Sequence, residues 1–345
     1  MHKKIITANE ANQRLDKFLN KYLPAAGNGF IYKMLRKKNI ILNGKKASGN
    51  EKIFLDDAVQ FFISDETLAK FQNSSEDVQN YYEAFNGLKK LPILFENEHI
   101  LVLDKPVGLL CQKAKATDIS LNEWLIGYLL SLNIIDEESL RTFKPSVLNR
   151  LDRNTSGVVL CGKTMAGSQE ISRLLKERKL KKYYHLIVKG IIAEAGVLRG
   201  YHEKDEDSNK VKISPERLDA ETALKITSGC ADEVKERADK AVLTRYRPLK
   251  SNAKCTLVEA ELVTGKSHQI RAHFATIGHP LLGDYKYGDH SFNDYYQQKY
   301  GIKSQLLHAG RVIFPVMEKP LADLSELTVI SESPDIFREL LERDK

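Results

Sequence analysis

Helix-patterned and strand-patterned runs follow one another irregularly along this chain, and that irregularity constrains its fold more than any other feature. Leu91 to Pro106 reads LPILFENEHILVLDKP, two strand-like runs turned at Asn97. SLNEWLIGYLL, from Ser120, predicts a helix over about 120–132, and a second helix is expected over about 166–179. YYHLIVKG is a strand ending at Gly190, and CTLVEAELVTG, from Cys255, alternates as another. Ile270, Phe274 and Ile277 mark one face of a helix that Gly278 and Pro280 stop, and a terminal helix follows Ser333 over Pro334 to Glu342. A doubly wound sheet would repeat strand, helix, strand; this chain does not, so its class is α+β. Residues 195–240 are charged and poorly patterned, and no element is assigned there.

Charge separates a head from the rest. Residues 1–63 hold 12 Lys/Arg against 5 Asp/Glu, a balance of +7, whereas the remainder carries 41 of each and is neutral. Such a basic head points to a polyanionic partner. In RLDKFLNKY, Leu15, Phe18, Leu19 and Tyr22 share one helix face, closed by Pro24. A second helix, from Asn28 to Lys38, buries Ile31, Met34 and Leu35 and turns Lys33, Arg36, Lys37 and Lys38 outward. Asn43-Gly44 then signals a tight hairpin, since both turn positions need positive φ. That hairpin presents Lys45 and Lys46 beside the basic helix. The expected organisation is a head at 1–64, a polar linker at 65–90 with a short helix around Tyr81 and Tyr82, and a body at 91–345.

Several chemistries are excluded by pattern. Cys111, Cys161, Cys230 and Cys255 form no C-x-x-C pair and sit among apolar or small neighbours, so buried free thiols in a reducing compartment are expected. The N-terminus lacks the apolar stretch of a signal peptide, and no run of 18 apolar residues occurs, so a cytoplasmic protein without a membrane span is expected. No Walker loop, dinucleotide fingerprint or Gly-x-Ser-x-Gly elbow is found. His268 and His273 are five residues apart, on different helix faces, a poor zinc pair. Asp205, Asp207, Asn209 and Glu216 have calcium-loop offsets, but Lys210 stands where the loop needs Gly and Pro215 breaks its end.

One junction remains to be explained. Asn149 to Leu160 reads NRLDRNTSGVVL, a lone acid between two arginines leading into a buried-strand pattern. Asp152 is the only acid between Arg141 and Lys163, and the window 141–190 has 12 basic residues and 3 acidic ones. Surfaces that meet phosphate normally lack acids. One reading makes Asp152 a brace for Arg150 or Arg153; the other gives it chemistry on a bound strand.

NRLDRNTSGVVLCGKT resembles the signature of the RluA-type pseudouridine synthases, HRLD-x-x-TSG followed by an apolar strand. Four further stretches resemble the family in order: LFENEHILVLDKPVGLL, KYYHLIVKG, LVTGKSHQIRAHFATIGHPLLGDYKYG and LLHAGRVIFP. The resemblance spans about 91–320. The helix–helix–hairpin head, over about 12–62, resembles the αL-motif RNA-binding domain named after a small-subunit ribosomal protein.

The resemblance implies a body with a mixed, mainly antiparallel sheet that isomerises uridine to pseudouridine in structured RNA. It implies Asp152 as the reacting carboxylate, Arg271 as its partner, and Tyr184 against the uracil face. It implies Arg150 in the space left by the flipped base, with Asn149, Lys266 and His268 gripping RNA beside the head's lysines and arginines. The reaction loses no group and changes no oxidation state, so no cofactor and no metal are expected. RNA is the expected partner, with large-subunit ribosomal RNA favoured by the head, and a monomer the expected state. Transfer RNA as substrate, or a catalytically silent ribosome-assembly protein, are the alternatives. Asn149 and Lys266 depart from the family's His and Arg, which bears on the grip of the RNA and not on the reaction.

Overall fold

The computed structural model describes residues 1–72, 78–88, 91–205, 210–214 and 240–343. Asp207, Asn209, Glu216 and Cys230 lie outside the described residues.

The head is a four-stranded sheet backed by two helices. β1 (His2–Ile5), β2 (Ile40–Leu42), β3 (Lys45–Lys46) and β4 (Ala58–Phe61) are ordered β1-β4-β2-β3. The helices span Leu15–Tyr22 and Asn28–Arg36. Phe18, Leu19, Tyr22, Ile31 and Leu35 are buried with Val59 and Phe61, as the helical spacing requires. The second helix stops two residues short of the expected end, because Lys38 takes the left-handed conformation at φ 59°. Asn43 and Gly44 have φ of 51° and 75°, the two positive values that the hairpin turn requires.

Residues 65–90, expected to be mainly a linker, contain two packed helices. Asp65–Gln72 belongs to the head: Leu68 joins its core, and Phe71 meets Phe30 with ring centroids 4.4 Å apart. Val78–Gly87, which includes the expected Tyr81 and Tyr82, packs instead on the body helix Leu121–Ser131. Gly127 makes that contact possible, since a Cβ there would lie 2.1 Å from the Tyr81 carbonyl oxygen.

The body is built on one large sheet, eleven-stranded among the described residues. Its strands are β5 (Ile93–Glu96), β6 (Ile100–Lys105), β7 (Ser146–Val147), β8 (Ser156–Gly162), β9 (Lys181–Lys189), β10 (Gly196–Lys204), β11 (Val211–Ser214), β12 (Ala241–Ser251), β13 (Cys255–Leu262), β14 (Leu307–Ile313) and β15 (Thr328–Ile330). The main path runs β11-β10-β12-β13-β9-β14-β8-β6-β5, and every pairing is antiparallel except β14 with β8. The α+β class and the mainly antiparallel sheet are therefore as expected.

β8 is buried along its whole length, which accounts for the apolar run after Ser156-Gly157. At its start Gly157 faces Ala309 across the parallel pairing with β14, where a Cβ would stand 2.2 Å from the Ala309 carbonyl oxygen. β9 alternates: Tyr184, Leu186 and Val188 face the core under Trp124 and Phe274, while Ile187 faces Tyr296 and Leu340 on the other side. Cys111, Cys161 and Cys255 are buried, and the Cys255 thiol donates to Tyr296 Oη at 3.4 Å. Among the described residues no helix is long and apolar enough to cross a membrane.

Candidate active site

Two loops from distant parts of the sequence meet at a cleft of about 790 Å³. The first carries Arg150 to Thr155 into β8. It is tied to the turn after β6, since Lys105 Nζ donates to the carbonyls of Pro106, Leu109 and Arg153 at 2.9, 2.9 and 3.1 Å. Arg153 closes the same seam, its Nε donating to Gly108 O and its carbonyl accepting from Gly108 N–H. Burial pushes the Lys105 ammonium down to about 8, against the pull of Cys111 and Asp152.

The second loop leads into the short helix Gln269–Thr276. Gln269 is its anchor: Oε1 accepts from Thr264 Oγ1, and Nε2 donates to Leu243 O and Thr244 Oγ1. His268, at φ 54°, starts the helix, and Arg271 follows within the first turn, pointing into the cleft.

Asp152 pairs across the cleft, not with its neighbours. Arg271 Nη1 donates to Asp152 Oδ2 at 2.9 Å, over 119 positions of sequence. The remaining donors of that guanidinium are held by Asp284, with Nε to Oδ2 at 2.7 Å and Nη2 to Oδ1 at 2.9 Å. The Tyr287 ring lies 5.1 Å from the guanidinium carbon. Burial opposes the charge of Arg271, but Asp284 and then Asp152 more than offset it, and the group is held above its ordinary range. A planar fork fixed on three sides can present one N–H to Asp152 in a single direction. Arg150 and Arg153, which flank the carboxylate in sequence, pair with it in neither case: Arg153 braces the loop, and Arg150 is exposed on the cleft wall.

The other expected residues separate into two groups. Tyr184 is buried at the cleft floor, and burial followed by the Asp152 charge raises its phenol above the ordinary range. It therefore meets a ligand as a neutral ring with an O–H. His268 Nε2 stands 3.7 Å from Asp152 Oδ2, beyond hydrogen-bond range, while Nδ1 meets Tyr287 Oη at 2.9 Å. Burial lowers its pKa, against Asp152, which raises it. Lys266 is exposed at the rim. Asn149 differs from its expected place in the RNA grip. Its Oδ1 accepts from Leu160 N–H at 2.6 Å and its Nδ2 donates to Val158 O at 3.4 Å, so the side chain braces β8. Lys33, Arg36, Lys37, Lys38, Lys45 and Lys46 are all exposed on the head, away from this cleft.

Sequence reasoning missed Asp284. It lies inside the quoted Gly-Asp-Tyr-Lys-Tyr-Gly stretch, where an acid after Gly reads as an ordinary turn residue. Its side chain is fully enclosed, and besides Arg271 it accepts the backbone N–H groups of Lys286 and Tyr287. Among the described residues no three His, Cys, Asp or Glu side chains gather as a metal site. His273 is buried instead against Thr244 at 2.9 Å.

A buried-footed carboxylate on an otherwise cationic cleft, with a neutral tyrosine beneath it, defines a class of site suited to acting on one nucleotide of a polyanion. Residues 99–276 match the sequence model of the family described as RNA pseudouridylate synthase, and the chain belongs to that family. It is similar to the Ribosomal large subunit pseudouridine synthase C of Vibrio cholerae, with 28% identity covering 92% of this chain and 90% of the relative. The protein of the same name from Escherichia coli is 30% identical over 90% of this chain and 87% of its own length. Among solved structures, Human RNA Pseudouridylate Synthase Domain Containing 4 shares the fold, with a TM-score of 0.56 and 23% identity over 77% of this chain and 96% of that one. This chain is an RNA pseudouridine synthase.

Proposed function

We propose that this synthase isomerises specific uridines of large-subunit ribosomal RNA, with the Asp152 carboxylate acting on the target nucleotide. Relatives named as ribosomal large-subunit pseudouridine synthases, aligned over nine-tenths of the chain, support the substrate class. The observation that carries the site assignment is a contrast of charge. Among the described residues, Asp152 is the one carboxylate lining a cleft that also holds Lys113, Arg150, Arg153, Arg178, Lys182, Lys266 and Arg271.

The reaction breaks the bond from ribose to the ring nitrogen, turns the uracil, and joins carbon 5 to the sugar. A carboxylate serves this either as a nucleophile toward sugar or ring, or as a base toward a ribose proton. Both routes need its oxygen held in place while the base moves, which is what a guanidinium fixed by Asp284 supplies. Tyr184 packs against the uracil face, and the exposed Arg150 enters the stack that the flipped nucleotide leaves. Flipping costs a few kcal/mol and least in unpaired RNA, so a loop uridine of a folded RNA is the target class. RNA is the partner, and a cytoplasmic monomer is the working form.

The test pairs chemistry with binding. Pseudouridines are mapped in total RNA with and without the gene, and Asp152→Asn is assayed in single turnover beside its melting temperature and RNA affinity. Loss of a ribosomal pseudouridine with the gene is expected, as is a stable, RNA-binding variant that makes none. A variant that melts early and loses binding would make Asp152 a brace. A stable one that still makes pseudouridine would falsify the assignment. A site lost from transfer RNA alone would replace the substrate.

A further inference from the structure

We propose that Arg178 and Lys182 form a phosphate-binding subsite at one end of the cleft, gripping a backbone phosphodiester of the RNA strand next to the reacting uridine. The proposal rests on the reading of the cleft as the RNA site.

Lys182 lies two residues before Tyr184 on β9 and shares its face, so its side chain enters the cleft about 6.6 Å along the strand from the tyrosine. No carboxylate among the described residues pairs with it. Its ammonium lies beside the loop of Lys266: a Cβ added to Gly265 would stand 3.4 Å from Nζ. Lys182 keeps some exposed surface, yet protein crowds it on most sides. Burial and then the like charge of Arg178 push its pKa down to about 8. A cation held there without a counter-charge among the described residues is poorly placed until an anion arrives, and the strand that brings the uridine carries one per nucleotide.

Arg178 supplies the second observation. The helix Met165–Lys176 ends in a Schellman turn, in which Lys179 N–H donates to Leu174 O and Arg178 N–H to Leu175 O. The residue between those bonds must be left-handed, and glycine is the usual occupant. Here it is Arg178, at φ 58°. Lys38 sits likewise at the end of the head's basic helix, at φ 59°. At both turns a long cation stands where glycine would be less strained, and both turns lie on basic surface assigned to RNA. At Arg178 the turn directs the side chain to the cleft beside Lys182. Backbone strain retained at a cleft is a mark of use. Phosphate contacts fix the register of a strand and carry no sequence information, so this subsite would position the uridine over Asp152 without selecting it.

The experiment measures the affinity of full-length protein for an unmodified large-subunit ribosomal RNA transcript across a salt series, with melting temperatures and pseudouridine yield. Arg178→Gly, assayed at a temperature where its melt shows it folded, should bind several-fold more weakly. Its slope of log affinity against log salt should be shallower by about one. Lys182→Met should lower the slope by a similar amount, and Arg178→Lys, which keeps the charge at the same φ, should restore it. Unchanged affinity and slope in both Arg178→Gly and Lys182→Met would overturn the subsite. So would weaker binding with an unchanged slope, since that marks contact with uracil oxygens and not phosphate. An earlier melt for Arg178→Gly would make Arg178 a structural brace and remove it from the proposal. Wild-type protein that makes no pseudouridine in this transcript would instead refute the substrate reading, which separates the two failures.

Discussion

Asp152 and Asp284 receive the same guanidinium and should respond to mutation in opposite ways. The Asp152 side chain is 29% exposed, and water can take the place of its bond to Arg271. Asp284 is fully enclosed and holds two N–H groups of Arg271 and two of the backbone. Asp284→Ala therefore strands a buried cation and two backbone donors, a change that costs about 3–5 kcal/mol. Thermal melts should show it as markedly destabilised, with pseudouridine formation lost as well; a melt like wild type would mean that Arg271 finds another partner. Asn149 makes the converse prediction. Its carboxamide touches only β8 backbone among its hydrogen-bond partners, so Asn149→His, the commoner family residue, should keep most activity. A loss as deep as that of Asp152→Asn in single turnover would give Asn149 a direct role. The Asp152–Arg271 pair was legible only through resemblance, because charge spacing along the sequence pointed to Arg150 and Arg153. Asp284 was hidden because nothing local distinguishes a turn acid from a buried one.

At the scale of elements, the site depends on how closely two strands approach. β8 and β14 meet in parallel at Ser156-Gly157, where Ser156 also meets the buried ring of His308 at 2.9 Å. Gly157 has φ 108° and no room for a Cβ. Gly157→Ala should misfold or separate β8 from β14, swinging the Asp152 loop away from Arg271. The expected readout is low soluble yield or an early melt with no turnover. A stable, active Gly157→Ala protein would contradict the close approach. This close approach explains the glycine of the Thr-Ser-Gly stretch that follows Asp152. Elements with strong periodicity were legible to within a few residues: the hairpin at Asn97, the helix Leu121–Ser131, and strands β9 and β13. Others were not. β10 and β12 carry arginines, lysines and, in β12, Pro248, which sits at a register shift past the end of its β10 pairing, so the missing N–H removes no bond there. The helix His290–Tyr300 is largely polar, and only Asn293 and Tyr296 are buried, too thin a stripe to read. β1, at the chain's start, is half exposed and takes its order from β4.

At the scale of the molecule, the head is fastened to the body by a few polar contacts and, among the described residues, no shared core. Glu10, buried in the head, accepts from Thr142 Oγ1 at 2.8 Å, Lys4 meets Glu138 at 3.1 Å, and Asn9 accepts from Met165 N–H at 3.1 Å. Each side has its own apolar cluster, so the body should survive removal of the head. The place of the cut matters. Ending the deletion at residue 64 would leave Leu68 and Phe71 facing water, because their helix packs on the head; the cut belongs at 73–77, between the two helices. The head's six exposed cations on the second helix and hairpin are free of the Asp152 cleft and suited to phosphates of a structured RNA. If all six meet phosphate, their loss should flatten the salt dependence by about six in log–log slope, and affinity at low salt should fall by orders of magnitude. The truncated body should still convert its uridine at high protein concentration, since Asp152, Tyr184, Arg271 and Asp284 remain. Unchanged affinity and slope after this deletion would show that the basic head is not an RNA anchor. Full loss of turnover at saturating protein, in a body that melts as a folded unit, would show that the head instead completes the active site.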